Sequence, residues 1–223
     1  MVQTTQGGSE AVTAAKDAGS GRQRLLTAAA EEFSEHGYAG ASIAAIAARA
    51  GVGKSTIFHH FESKDALYLA VIEAAAGEFA RTLDQVLDGT RDVHDSLAEF
   101  QLAHLQHMFR NGKVAALVLR ELRGEGPGKV AGQVRDVVAG NFQRLVNYLA
   151  AVRELGGIRQ DVEPRVAALT MLSVNAFAFQ FREVLRDFPG LDVEQAPDRF
   201  AAAVTDLVFR GLKVIPEAKG DKE

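Results

Sequence analysis

Residues 48–61, Ala-Arg-Ala-Gly-Val-Gly-Lys-Ser-Thr-Ile-Phe-His-His-Phe, hold two chemistries in competition. Ala48, four further residues and Gly53-Lys54-Ser55 fit a relaxed phosphate loop. In such a loop backbone N–H groups wrap the phosphates, the lysine reaches the outer phosphate and the serine holds magnesium. That chemistry needs a buried strand ahead of the loop. Ile43, Ile46, Ala47 and Ala50 instead recur at the helical period, and Ser42 is placed to cap the first turn. Nor does an apolar run ending in Asp stand out elsewhere to hold the metal. Nucleotide binding at Ala48–Ser55 stays as the alternative reading.

The competing chemistry is DNA reading. A helix over Ser42–Ala50, a turn at Gly51-Val52-Gly53 and a short helix over Lys54–Phe61 make a helix-turn-helix. Gly51 suits a left-handed helix exit, and Val52 plugs the angle between the helices. Ile57 and Phe61 then face inward, while Lys54, Ser55, Phe58 and His59 face a groove. Lys54 and Ser55 are the candidates for base edges, because lysine donates to guanine and serine pairs with several bases. Gly53 and Thr56 are candidates for phosphate, Phe58 for the sugar-phosphate surface, and His59, His60 and Lys64 for positioning. Ser42 is a candidate phosphate contact as well as a cap.

A third cluster lies on the predicted helix 95–110, where Leu97, Phe100, His104 and Met108 share a stripe and His107 lies beside it. A ring nitrogen on an apolar stripe needs a partner. A hydrogen-bonded core histidine answers that need, and so does an effector pocket lined by Phe100, His104, His107, Met108, Tyr148, Asn175, Phe177 and Phe179. Phe109 and Arg120 are further lining groups. Such a pocket suits an apolar or aromatic molecule with one polar handle. Metal binding by His104 and His107 would need more ligands than the spacing supplies. No nucleophile–base spacing marks an enzyme, and no cofactor is expected; a small-molecule carrier or enzyme using the helical body is the remaining alternative.

The elements that must position these residues are all helical. Leu25, Leu26, Ala29 and Phe33 share one face of a helix stopped by Gly37, completing a three-helix head over 21–61. A helix capped by Ser63 runs to about Leu87, where Asp88-Gly89-Thr90 breaks it. Helices follow over 95–110 and 113–123. After the Gly-Pro-rich break at 124–128 comes a long helix to Leu155, carrying Val130, Val134, Leu145, Tyr148, Leu149 and Val152. Segment 164–186 is apolar on most sides and is expected as one buried helix. In the final helix, 197–214, Phe200, Val204, Leu207, Val208 and Gly211 form a stripe.

Phe33-Ser34-Glu35-His36-Gly37-Tyr38, Ser42–Ala47, Ala50–Phe61 and Ser63-Lys64-Asp65-Ala66-Leu67 together resemble the N-terminal head of the TetR family of transcriptional regulators. The resemblance covers about 45 residues. It implies an all-α protein, with a three-helix helix-turn-helix DNA-binding head and a larger helical ligand-binding and dimerisation domain. It also implies a homodimer through the helices at about 164–186 and 197–214, bound to a near-palindromic double-stranded operator. A repressor released by a small-molecule effector is the commonest arrangement in the family. Phe58 departs from the tyrosine the family often has, keeping the ring and dropping the hydroxyl. The expected division is a flexible arm at 1–20, the DNA-binding head at 21–66, the effector and dimer domain at 67–215, and a tail at 216–223.

Composition agrees without demanding this. The chain has 223 residues, 47% of them hydrophobic, which suffices for a substantial core. Zero cysteines exclude disulfides and favour a reducing compartment. Met1–Ser20 lacks the basic-then-apolar pattern of a secretion signal, and Val166–Phe181 is short for a membrane span. A cytoplasmic protein with no membrane partner is expected. The net charge of −4 lends DNA binding no support. Placement matters more: segment 42–64 holds Arg49, Lys54 and Lys64 against Glu62, while Glu31, Glu32 and Glu35 fall on another helix. Lys16, Arg22 and Arg24 are candidate arm contacts to phosphate or a minor groove.

Overall fold

The computed structural model describes the backbone of residues 7–191 and 193–212, and side chains from Gly21 onward. Every regular element among them is a helix: α1 Gly7–Gly40, α2 Ile43–Ala50, α3 Lys54–His60, α4 Lys64–Val86, α5 Val93–Arg110, α6 Gly112–Leu122, α7 Ala131–Glu154, α8 Pro164–Gln180, α9 Arg182–Leu185 and α10 Pro197–Leu212. They form two compact units, Met1–Ala75 with Ala116–Arg135, and Ala76–Ala115 with Asp136–Glu223. Residues 116–135 thus belong to the same compact unit as the first three helices.

In the first unit α1 buries Leu25, Leu26, Ala28, Ala29 and Phe33. Its backbone is helical from Gly7, where the sequence predicted an arm, because Ala, Glu and Lys favour extension of a helix once nucleated. The proposed DNA contact at Lys16 lies outside the residues with described side chains. Gly37 leaves the helix at φ 68°, a conformation that only glycine adopts without strain. α2 closes on Gly51 at φ 69°, where the Val52 N–H donates to the Ala47 carbonyl and the Gly51 N–H to Ala48. This paired closure satisfies carbonyls that a helix end leaves open. Ile46 and Ile57 are fully buried, each contributing about 1.5–3 kcal/mol.

In the second unit α5, α8 and α10 pack on one another. The core joins Phe79, Leu83 and Val86 of α4 to Leu97 and Phe100, Leu145 and Leu149, Ala168 and Met171, and Leu212. Three sequence expectations change here. Segment 164–186 is interrupted at Phe181, where the Arg182 guanidinium donates to the Phe179 carbonyl at 2.9 Å and lies 4.9 Å over its ring. That segment is also less buried than expected: Val166, Leu169, Phe177, Phe181 and Val184 are exposed. In α10 the buried line is Ala201, Thr205 and Leu212, so Leu207 points away from the core. Residues beyond Leu212, including Lys213 and the expected tail, lie outside the described residues.

Candidate functional site

The Ser42 hydroxyl accepts the Ala45 N–H at 3.0 Å and so caps α2. The segment before Gly51 is thus helix, and no strand stands ahead of Gly53-Lys54-Ser55. The phosphate-loop reading fails on this geometry, since its backbone cradle must follow a strand. Gly53 instead opens α3 from an extended conformation, without a side-chain cap.

α3 buries Ile57 and leaves Lys54, Ser55, Phe58 and His59 exposed, with Thr56 and His60 half-buried. Phe58 is 54% exposed. Lys64 is half-buried, its Nζ 4.5 Å over the Tyr38 ring. The Tyr38 hydroxyl donates to Asp65, and burial with that bond pushes its pKa up to about 12. Arg22 lies 5.3 Å over the Phe61 ring.

The charge expected from Arg49 is spent locally. Its guanidinium meets Glu35 at 2.7 Å, Glu31 at 3.3 Å and Glu32 at 3.4 Å. The bond to Glu35 is the main cause of its raised pKa. The sequence placed those acids on another helix and out of account; α1 and α2 pack together and bring them to Arg49. Lys54 and Lys64 remain as the cations at and just after α3.

The eight predicted pocket residues do not form one lining. Phe100, Asn175, Phe179 and Met108 are buried, and Tyr148 packs half-buried against the same core as Phe100. Phe177 stands apart: it is 57% exposed and its ring lies tilted against Phe181 with centroids 4.4 Å apart, on the opposite side of α8 from Asn175 and Phe179. Asn175 donates to the Gln101 carbonyl at 2.9 Å and lies 3.1 Å from His104 Nδ1. His104 stacks on Phe100, and Phe79 lies 5.1 Å from His104 and 4.9 Å from His107. Burial, and then the charge of His107, pull the His104 pKa down to about 3; burial also lowers that of His107. Among the described residues no group of three metal-ligating side chains gathers.

Phe79 and Gln101 escaped the sequence reading. Gln101 carried a signal, a polar residue four positions from both Leu97 and Leu105 on a buried face; Phe79 carried none beyond its helical spacing to Leu83 and Val86. A separate cleft of about 370 Å³ is lined by Gln106, Phe109, Arg110, Glu194 and Pro197. Of these only Phe109 was expected to line a pocket.

Residues 25–71 match the family described as bacterial regulatory proteins, tetR family. That match covers the helix-turn-helix head, α2 and α3 with the helices on either side. It is 42% identical over 76 residues to the transcriptional activator FasR of Mycolicibacterium smegmatis, a stretch covering 34% of this chain and 35% of FasR. It is 29% identical over 189 residues to the transcriptional repressor Rv3405c of Mycobacterium tuberculosis, covering 85% of this chain and 87% of that protein. The crystal structure of FadR from Bacillus subtilis in complex with stearoyl-CoA superposes with a TM-score of 0.71 at 18% identity, covering 85% of this chain and 98% of FadR. The chain is therefore a helix-turn-helix transcriptional regulator with an all-helical body among the described residues. No helix among the described residues is long and apolar enough to cross a membrane.

Proposed function

We propose that this regulator is a repressor that binds a near-palindromic operator as a homodimer and is released by a small apolar effector. The observation that carries the DNA reading is the exposed face of α3, where Lys54, Ser55, Phe58 and His59 stand together on a short helix anchored by buried Ile57. Lys54 and Ser55 read base edges; Gly53, Thr56 and Ser42 meet phosphate; Phe58, His59, His60 and Lys64 set the pose on the backbone. Residues 21–66 are the DNA-reading part, and 67–215 hold the effector and the dimer contact. The protein works in the cytoplasm and is a regulator rather than an enzyme.

The dimer reading draws support from the apolar side chains that α8, α9 and α10 leave exposed, Leu207 at 75% and Phe177 at 57% among them. Two helices from each copy can close such a face as a four-helix bundle. The effector reading draws support from His104 and His107 among Phe79, Phe100 and Tyr148. FadR holds stearoyl-CoA, an apolar chain with a polar head, and that class is the first to test. Effector binding lowers DNA affinity by linkage, acting through α4.

The test is selection of bound duplexes from a randomised pool by the full-length protein, with Lys54→Ala as control. An inverted repeat enriched by the wild type, and lost or relaxed in the variant, is the expected result. No enrichment even at low salt would remove the DNA-reading assignment.

A further inference from the structure

Two adjacent residues near the end of α6 engage the head. Glu121 is 5% exposed, and its Oε1 accepts the Tyr68 hydroxyl at 2.8 Å. Its Oε2 is buried and accepts no hydrogen bond from the protein. A buried carboxylate held by one partner is expensive to maintain, yet the chain is shaped around it. A Cβ on Gly126 would overlap the Glu121 carboxylate, so no other residue fits there without displacing it. Next to it, the Arg120 guanidinium nitrogens lie 3.2 and 3.4 Å from where a Gly37 Cβ would stand.

From Tyr68 the contacts lead toward the DNA-facing side. The Tyr68 ring meets Tyr38 edge-on at 5.3 Å and Phe33 at 5.0 Å. The Tyr38 ring in turn carries the Lys64 ammonium at 4.5 Å, and its hydroxyl binds Asp65. Burial, then the bond to Glu121, raise the Tyr68 pKa and keep its phenol protonated as a donor. An ammonium over an aromatic face is held by the ring quadrupole, so its position follows the ring.

We propose that Glu121 is a positioning residue for DNA binding: by fixing the Tyr68 hydroxyl it locks the Tyr68 ring, which holds the Tyr38 ring in place beneath Lys64. This rests on the DNA-reading role proposed for the head. Glu121 touches no DNA in this scheme; it acts through two tyrosines, and Gly126 leaves the space its carboxylate occupies.

The experiment measures the affinity of the full-length protein for the duplex that the wild type enriches from the randomised pool, across about 50–200 mM salt. Tyr68→Phe removes only the hydroxyl, and Glu121→Leu removes the acceptor. Both are expected to weaken binding about fivefold to tenfold, with a shallower salt dependence. Glu121→Gln keeps an oxygen that accepts from Tyr68 and is expected to bind like the wild type. In a Lys64→Ala background, Tyr68→Phe is expected to change affinity by less than about twofold, since the cation it positions is gone. Should Glu121→Leu fail to fold, Tyr68→Phe carries the comparison alone. Wild-type affinity and salt dependence in Tyr68→Phe, or an equal loss with and without Lys64, would overturn the proposal while leaving DNA reading intact. Failure of the wild type to enrich any duplex would remove both.

Discussion

Gln101 and Asn175 hold each other through two hydrogen bonds across 74 residues of sequence. The Gln101 Nε2 donates to Asn175 Oδ1 at 2.7 Å, and the Asn175 Nδ2 donates to the Gln101 carbonyl at 2.9 Å. Both side chains are fully buried, so these two bonds replace water for the groups that make them, while Gln101 Oε1 is buried without a hydrogen bond. Asn175→Leu leaves the Gln101 amide and carbonyl short of partners inside the core. The expected loss is about 1–3 kcal/mol of stability. Urea unfolding reads it, and an unchanged midpoint with an unchanged slope would show that the pair contributes nothing.

His104 makes stability depend on pH. Its folded pKa of about 3 lies below the ordinary 6.5, so the native state prefers the neutral ring. Below pH 6.5 the unfolded chain takes up a proton that the native state refuses. The contribution of His104 is therefore complete above that value and is lost as pH falls toward 3, at about 1.4 kcal/mol per pH unit. His104→Gln removes this titration. Unfolding free energies at pH 7, 6 and 5 are expected to fall more steeply in the wild type than in the variant, and parallel lines would contradict the assignment.

Lys54 and Lys64 differ in surroundings and are expected to differ in effect. Lys54 is exposed at the start of α3, whereas Lys64 is half-buried over Tyr38. Lys54→Ala should relax one base position or weaken specific binding by about 1–3 kcal/mol. Lys64→Ala should weaken all duplexes alike and reduce the salt dependence by about one counterion per subunit. Fluorescence anisotropy with specific and scrambled duplexes separates the two; identical profiles would refute the division of labour.

The exposed apolar side chains of α8 and α10 are expected to hold the dimer. Phe177→Asp with Leu207→Asp places two charges where burial is required, and both native residues lie outside the monomer core. The doubly substituted protein is expected to stay helical and to sediment as a monomer, while the wild type sediments as a dimer. A dimeric variant would place the interface elsewhere.

Much of the head is legible in the sequence, because its signals are local. The Ser42 cap, the Gly51 exit and the period of Ile43, Ile46 and Ala47 act within one or two turns, and α2 has those bounds. Lys54, Ser55 and Phe58 were placed outward by their spacing from Ile57, and they are exposed. The pairing of Arg49 is not legible there, because its acids sit 14 to 18 residues upstream on α1, a distance over which periodicity carries no pairing information.

The body was less legible for the same reason. Phe177 and Phe179 are both apolar and both on α8, and composition cannot tell the buried one from the exposed one. Phe79 becomes the ring between His104 and His107 only when α4 packs on α5. By itself, then, the sequence determined most of the helices, the Ser42 cap and Gly51 exit of α2 and the face that α3 presents, since these depend on interactions within a few residues. Only the tertiary structure decided that Glu121 meets Tyr68, that Gln101 meets Asn175 and that Arg49 spends its charge on α1. Each of these joins partners distant along the chain, and which buried polar groups find one another is settled when the helices pack.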